Sequence, residues 1–163
     1  MNALLDLPDA HKLALSLLLE KVPPREVLWA LTGSAGLRLQ GVDVPVHDLD
    51  VQSDQAGVAE ITRRLPDHLR EAPRLKESAL LRSYYGFLEV SGVKVELMGD
   101  IQQRLPGGWG PPVDLEGHRR WVAWQERLVP VLDLAYEAQA YARLGREAKA
   151  AVIRTALADR EGG

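Results

Sequence analysis

The stretch that decides the fold is residues 26–53, EVLWALTGSAGLRLQGVDVPVHDLDVQS. It begins with a short apolar run over 26–32 and ends with 47–53, where polar and apolar residues alternate. Alternation of this kind is typical of a half-buried strand, because successive side chains point to opposite faces of a sheet. Between the two runs lie a Gly-Ser pair and a short helical stretch that Gly41 closes. The order predicts a strand, a helix and a second strand.

Two aspartates stand two residues apart on the second predicted strand. At this spacing Asp48 and Asp50 leave the same face, while Leu49 and Val51 enter the core. Two carboxylates on one face repel each other unless a cation lies between them. Divalent ions are the usual solution in nucleotidyl transfer, and Mg²⁺ suits such a site because its ligands are oxygens. An Asp-x-Asp pair alone is a weak indication, since both residues could be solvent-facing positions of an amphipathic strand.

A third acid lies on another alternating segment, 93–98, which with 85–90 flanks a Ser-Gly turn and predicts a hairpin. Glu96 leaves this segment on the face opposite the core. It could complete a metal site or take the proton from an attacking hydroxyl. It could equally be the partner of a surface cation, and Lys94 lies on the same face.

The Gly-Ser pair is a candidate phosphate site. Gly33 lets the backbone approach a ligand closely, and the unpaired N–H groups at the start of a helix attract anions. Ser34 is also a natural helix N-cap, and the two roles are compatible. We therefore predict that Gly33 and Ser34 bind the phosphates of a nucleotide.

The remaining segments complete an α+β pattern. Helices are predicted over 9–21, 54–65, 133–144 and onward to about 159, and strands over 119–125 and 127–132. Asp9 and Asp133 are candidate helix caps, and 105–112, LPGGWGPP, is a loop by composition. Because no repeat or long linker interrupts the chain, we expect one domain over 1–163, with a core at about 26–104 and a helical tail at about 133–159.

Composition restricts the classes of protein. The 163 residues are 46% hydrophobic and contain no cysteine, which excludes disulfides, thiolate metal sites and cysteine nucleophiles. With 20 basic and 23 acidic residues the net charge is −3, which does not favour nucleic acid as a partner. The start of the chain is acidic where a signal peptide is basic, and no apolar run approaches the length of a membrane span. We expect a cytoplasmic protein with no membrane partner.

The motifs together resemble a known signature. The segments are Thr32-Gly33-Ser34, Asp48-Leu49-Asp50-Val51 and Val95-Glu96-Leu97. They resemble the Gly-Ser turn, acid-x-acid strand and third acid of the DNA polymerase β-like nucleotidyltransferase superfamily, and the match covers 27–98. The segments LTGSAGLRLQG, VHDLDVQSD, GVKVELMGDI and YEAQAYARLGR are similar to minimal and antibiotic-type nucleotidyltransferases of bacteria and archaea. The resemblance implies a short mixed sheet backed by helices, with a C-terminal helical pair.

The resemblance also implies an activity. It is the transfer of a nucleoside monophosphate from an NTP, with ATP expected, to a hydroxyl of a small-molecule or protein acceptor, with Mg²⁺ or in its place Mn²⁺ as the cofactor. The implied catalytic and metal-binding residues are Asp48, Asp50 and Glu96. The implied nucleotide-binding residues are Gly33, Ser34 and Arg82. Two alternatives stay open: an antitoxin-like nucleotide-binding protein with a toxin-like partner and vestigial catalysis, and a structural domain whose acids are incidental.

Two regions leave the nucleotide contacts open. Arg82 matches a place where relatives carry a basic residue near the triphosphate, but it could equally be a surface arginine. In the tail, many antibiotic-type relatives carry a lysine before a Gly-Arg pair, and here Tyr141 holds that place before Gly145-Arg146. The run that follows, with Lys149, has altered spacing and lacks the usual aspartate. These departures do not touch the three carboxylates.

Overall fold

The computed structural model describes residues 5–162, and within them eight strands form one mixed sheet. The strands are β1 (Trp29–Thr32), β2 (Leu49–Ser53), β3 (Leu69–Glu77), β4 (Leu81–Val90), β5 (Val93–Leu105), β6 (Gly108–Trp109), β7 (Arg119–Trp124) and β8 (Arg127–Leu132). Their order across the sheet is β3-β4-β5-β2-β1-β8-β7, and β6 pairs with the end of β5. The strand predicted over 26–32 is thus shorter, and β6 falls in the segment predicted as a loop.

Six α-helices surround the sheet in the same residues. They are α1 (Asp9–Lys21), α2 (Gly33–Leu39), α3 (Gln55–Arg64), α4 (Leu115–His118), α5 (Leu134–Arg143) and α6 (Glu147–Gly162). The α+β class, the mixed sheet and the C-terminal helical pair are therefore confirmed. None of the helices described combines the length and the apolar character that crossing a bilayer requires.

The centre of the sheet sets two acids side by side. Strand β2 runs antiparallel to β1 and parallel to β5. Leu49 and Val51 are fully buried in the main core, against leucines of α1 and apolar residues of α3. Burying a side chain of this size contributes about 1.5–3 kcal/mol, which fixes the face that β2 turns to the core. Asp50 consequently points the other way, opposite Glu96 in the β2–β5 register.

The C-terminal helical pair docks on the carboxylate side of the sheet. Asp133 caps α5 as predicted, because its side chain accepts a hydrogen bond from Tyr136 N at 2.7 Å. The other predicted cap is wrong, since Asp9 is the first helical residue and Pro8 holds the cap position without a side-chain bond. Leu134 and Ala138 of α5 pack with Leu37 of α2 and with α6 in a second apolar cluster. This packing brings α5 beside the start of α2.

Candidate active site

The three predicted carboxylates lie together. Asp48 directly precedes β2, Asp50 lies within it, and Glu96 is its neighbour on β5. One oxygen from each carboxylate lies within 4.8 Å of the other two. The parallel pairing of β2 and β5 produces this cluster, because it aligns two strands that are separated in sequence.

Without a cation, the carboxylates of the cluster repel each other. Burial, together with the hydrogen bond to Glu96 and the charges of Glu96 and Asp48, raises the pKa of Asp50 to about 8. Burial also acts to raise the pKa of Glu96, but hydrogen bonds with Tyr85, Asp50 and Lys94 outweigh it and hold that pKa below its usual value. The raised pKa favours the protonated form of Asp50 beside an ionised Glu96. A bound cation would take the place of that proton.

Neighbouring side chains hold Glu96 in place. The Tyr85 hydroxyl donates to Glu96 Oε1 at 2.6 Å, and Lys94 Nζ lies 3.3 Å from the same oxygen. Lys94 is thus the cation partner that the sequence allowed, while the same carboxylate also belongs to the acidic cluster. Glu96 can therefore pair with a surface cation and belong to the acidic cluster at the same time.

The donor set fits a hard divalent cation. All the groups are carboxylate oxygens, which Mg²⁺ and Mn²⁺ prefer. Among the residues described, Asp50 Oδ1 is buried and has no hydrogen-bond partner. A buried carboxylate oxygen without a partner is costly, and a metal ion would satisfy it. The residues present therefore fit the implied metal.

The Gly-Ser turn lies directly against Asp50. Gly33 has φ +68°, which favours glycine, and a Cβ added there would overlap Asp50 Oδ2, so a side chain at this position would strain the backbone and displace that carboxylate. Gly33 N donates to Glu137 Oε1 at 3.2 Å, and Ser34 Oγ accepts from His47 N at 3.2 Å. Ser34 lies inside α2 and is not the cap, because the helix begins one residue earlier.

A buried acid that the sequence analysis missed stands behind this turn. Glu137 of α5 is only 3% exposed and accepts from the Thr32 hydroxyl at 2.5 Å as well as from Gly33 N. Burial raises its pKa to about 7, although the bonds from Thr32 and Gly33 act in the opposite direction. The signal was in the sequence, because Glu137 interrupts the apolar stripe of α5 formed by Leu134, Ala138 and Tyr141.

A cavity leads from the carboxylates along α5. It has a volume of about 250 Å³ and is lined by Gly33, Asp50, Tyr141 and Arg146, among others. A second cavity of about 320 Å³, lined by His118 and Arg143, shares residues with it. The shared lining residues are Ile101, Gln103, Tyr136 and Ala140. The two adjoining cavities are here called the groove, and Asp50 is the carboxylate of the cluster that lines it.

The helical tail places positive charge at this groove. The Arg146 guanidinium lies 5.1 Å from the centre of the Tyr141 ring, and Lys149 Nζ lies 5.0 Å from it. Burial and then the nearby Arg146 lower the pKa of Lys149, whereas burial and then the charge of Glu137 raise the pKa of Tyr141 to about 12. The sequence left open whether the helical tail contributes to the site, and the structure shows that Tyr141 and Arg146 of the tail line the groove.

Arg82 is the predicted site residue that the structure does not bring to the carboxylates. Its Nε donates to Gln102 at 2.9 Å, and its guanidinium lies 4.7 Å from the centre of the Trp109 ring. Leu81 and Gln103 are paired across β4 and β5 and line the groove. Since adjacent strand residues alternate, Arg82 and its partner Gln102 face the other side of the sheet. A role for Arg82 in nucleotide binding stays a prediction.

Known proteins similar to this chain are nucleotidyltransferases, as the acidic cluster indicates. Residues 14–155 match the sequence profile of the aminoglycoside-2″-adenylyltransferase family. The chain belongs to this family. Its predicted superfamily and its class as a nucleotidyltransferase-type enzyme are confirmed. No curated protein gave a match.

Two solved structures resemble this family member. A protein of Thermotoga maritima, provisionally named a nucleotidyltransferase, is 38% identical with a TM-score of 0.82, and the match covers 94% of this chain and 97% of that one. The lincosamide antibiotic adenylyltransferase LnuA, bound to lincomycin, is 14% identical with a TM-score of 0.53, covering 82% and 85%. At that identity LnuA supports the fold alone.

Proposed function

We propose that this family member transfers AMP from ATP to a hydroxyl group of a small molecule, in a reaction that depends on Mg²⁺ or Mn²⁺. The observation that carries the proposal is the acidic cluster of Asp48, Asp50 and Glu96, with oxygens within 4.8 Å, directly beside the Gly33 turn. Membership of an adenylyltransferase family supports the nucleotide, and the all-oxygen donor set supports the metal.

The three acids have separable roles in this proposal. Asp48 and Asp50 anchor the metal, which would neutralise the phosphates and align the attacking hydroxyl with the α-phosphorus. Glu96 is ionised at neutral pH because its pKa lies below the usual value, and it accepts the proton of that hydroxyl. The acceptor oxygen then bonds to the α-phosphorus, the bond to the β-phosphate oxygen breaks, and pyrophosphate leaves. Tyr85 and Lys94 keep Glu96 oriented toward the hydroxyl.

The phosphates of the nucleotide belong beside Gly33 and Ser34 in this proposal. The absence of a Cβ at Gly33 allows close approach, and Arg146 lines the same cavity as Gly33 and Asp50. Lys149 adds a second cation, whose Nζ lies 5.0 Å from the centre of the Tyr141 ring. Cations in these places would balance the charge of a triphosphate.

A small-molecule acceptor fits better than a protein side chain. The two cavities of the groove measure about 250 and 320 Å³, near the lower end of the roughly 300–1,000 Å³ that is typical of small-molecule sites. Its lining combines apolar residues with polar groups such as Gln103, His118 and Gln139, which is typical of a pocket that orients a ligand. The family is named for an adenylyltransferase that acts on an aminoglycoside, so an antibiotic-like hydroxyl compound is the first class to test.

The experiment is transfer from α-labelled ATP. The protein is incubated with Mg²⁺, labelled ATP and a panel of hydroxyl-bearing compounds, and labelled products are separated and weighed by mass spectrometry. We expect an adduct carrying AMP that disappears with Asp50→Asn. The matched control is Asp67→Asn, an exposed acid remote from the cluster, which should keep full activity. ATP binding without transfer to any compound would instead favour the antitoxin-like alternative.

A further inference from the structure

A buried carboxylate holds the turn on which the site is built. Glu137 Oε1 accepts two hydrogen bonds, from Thr32 Oγ1 at 2.5 Å and from Gly33 N at 3.2 Å. The bonds join α5 to the end of β1 and the start of α2, across more than a hundred residues of sequence. One side chain thus fixes both residues of the turn at a single point.

The cost of burying this carboxylate indicates that it does more than fill space. Glu137 is 3% exposed, and no lysine, arginine or histidine of the described residues lies within ion-pair distance of it. A buried carboxylate without a cation beside it is unfavourable even when it accepts hydrogen bonds, and an apolar residue at the same place would cost less. The start of α5 compensates part of this cost, because an acid in the first helical turn interacts favourably with the helix dipole.

The Thr32–Gly33 turn also lies directly against Asp50. Thr32 pairs with Asp50 across β1 and β2. Gly33 approaches Asp50 so closely that a Cβ would overlap Asp50 Oδ2. Any rotation of the turn would therefore move the surface that limits the orientation of the Asp50 carboxylate.

We propose that Glu137 is a positioning residue, which clamps the Thr32–Gly33 turn and thereby holds Asp50 in the orientation that binds the metal. The inference rests on the proposed function. Glu137 is not one of the three clustered carboxylates, and in this proposal it acts through Gly33 and Asp50. Residues that orient metal ligands in this way typically change metal affinity by about 10–100-fold when they are replaced.

A pair of variants separates the clamp from simple charge attraction. Glu137→Met keeps the length of the side chain but removes the acceptor oxygens, whereas Glu137→Gln keeps an acceptor and removes the charge. The matched control is Gln40→Met, because Gln40 is another buried polar side chain that donates to Leu132 O at 2.7 Å, away from the acidic cluster. Its loss reports the cost of removing buried hydrogen bonds alone, since Gln40 also donates to Gly36 O at 3.3 Å.

The measurement is the affinity of the protein for Mn²⁺ without nucleotide, by electron paramagnetic resonance, with folding checked by circular dichroism. We expect Glu137→Met to weaken Mn²⁺ binding by at least about tenfold. Glu137→Gln should stay within about threefold of wild type, and Gln40→Met should bind normally even if it is less stable. If Glu137→Met does not fold, Thr32→Val, which removes one donor of the clamp, should weaken Mn²⁺ binding in the same direction.

The possible results separate this inference from the proposed function. Normal Mn²⁺ binding by Glu137→Met or by Thr32→Val would overturn the clamp, while a loss of binding in Asp50→Asn would still support the proposed function. Equal weakening by Glu137→Gln and Glu137→Met would also overturn it, because the charge and not the hydrogen bonds would then matter. Equal binding by wild type and Asp50→Asn would contradict the metal site itself, and with it both proposals.

Discussion

Asp50 and Glu96 stand opposite each other on parallel strands, and the pKa of Asp50 is raised while that of Glu96 is held below its usual value. The relationship follows from burial and proximity, because two carboxylates this close cannot both ionise easily. The repulsion between the two carboxylates lowers the stability of the metal-free protein and favours the binding of a cation. Both consequences can be measured.

Asp50→Asn should stabilise the metal-free protein at alkaline pH. The ordinary pKa of 3.8 applies to Asp50 in the unfolded chain, and the folded value is about 8. Between these values the folded state binds more proton than the unfolded state, so the stability that Asp50 contributes is full below about pH 4 and is lost as the pH rises toward 8. Asparagine has no proton to lose and escapes this loss.

The measurement is the melting temperature in the presence of a chelator, for wild type and Asp50→Asn at about pH 5 and about pH 8. The melting temperature of the variant should rise relative to that of wild type as the pH rises, by roughly 2–4 °C for each kcal/mol of repulsion that is removed. A difference between the two proteins that does not change with pH would show that Asp50 is not protonated in the folded state.

Metal affinity should rise with pH for the same reason. Because the raised pKa keeps Asp50 protonated at neutral pH, a cation that binds there must displace this proton. Mn²⁺ affinity should therefore increase by up to about tenfold per pH unit below the Asp50 pKa and level off above it. Calorimetric titrations with Mn²⁺ between about pH 6 and about pH 8, in two buffers of different ionisation enthalpy, would count the protons released. Binding that releases no proton would argue against displacement at Asp50.

Glu96→Gln should separate binding from chemistry. The amide keeps the shape and the hydrogen-bonding capacity of the side chain but cannot accept the proton of the hydroxyl. We expect ATP affinity to stay near that of wild type while transfer falls by at least about a hundredfold. Glu89→Gln is the control, because Glu89 is an exposed acid on the neighbouring strand and faces Lys94. Normal transfer by Glu96→Gln would remove its assigned role as the proton acceptor.

Gly33→Ala should damage the site more than the fold, and the chain offers a close control. Gly33 and Gly92 both have positive φ, +68° and +77°, so alanine costs about 1–2 kcal/mol of backbone strain at either place. Only at Gly33 would the new Cβ meet Asp50 Oδ2, since nothing lies within 4 Å of a Cβ at Gly92. Stability should fall similarly in both, but nucleotide and Mn²⁺ binding should fall only in Gly33→Ala. Equal nucleotide binding by the two variants would place the phosphates elsewhere.

The three carboxylates could be found from the sequence because their signal is local. Alternation along 47–53 and 93–98 gives the face of each side chain without knowledge of the rest of the fold. The resemblance then implied that the three acids belong to one site, whereas the parallel pairing of β2 with β5 is visible only in the structure. The same reasoning found the Gly-Ser turn, because a glycine between a strand and a helix is itself a local feature.

Other features depend on contacts that sequence patterns do not show. Strand β3 is an edge strand that contains Pro73 and many charged residues, which are typical of protected edges. It therefore lacks the apolar pattern by which strands are predicted from sequence. The position of Arg82 depends on an irregularity in the β4–β5 pairing between Arg82 and Tyr84, which changes the alternation. Glu137 reaches Gly33 across 104 positions, and only the docking of α5 brings them together.

The most direct test of the central claim is the crystal structure of the protein with Mn²⁺ and a non-hydrolysable ATP analogue, using the anomalous signal of manganese to locate the metal. We expect a peak in contact with carboxylate oxygens of Asp48 and Asp50, at about 2.0–2.3 Å as for other small oxygen-bound divalent cations, with the analogue's phosphates beside Gly33. Asp50→Asn crystals should lack the peak. Manganese bound elsewhere, or an analogue that lies away from the acidic cluster, would contradict the claim that these carboxylates form a nucleotidyl-transfer site.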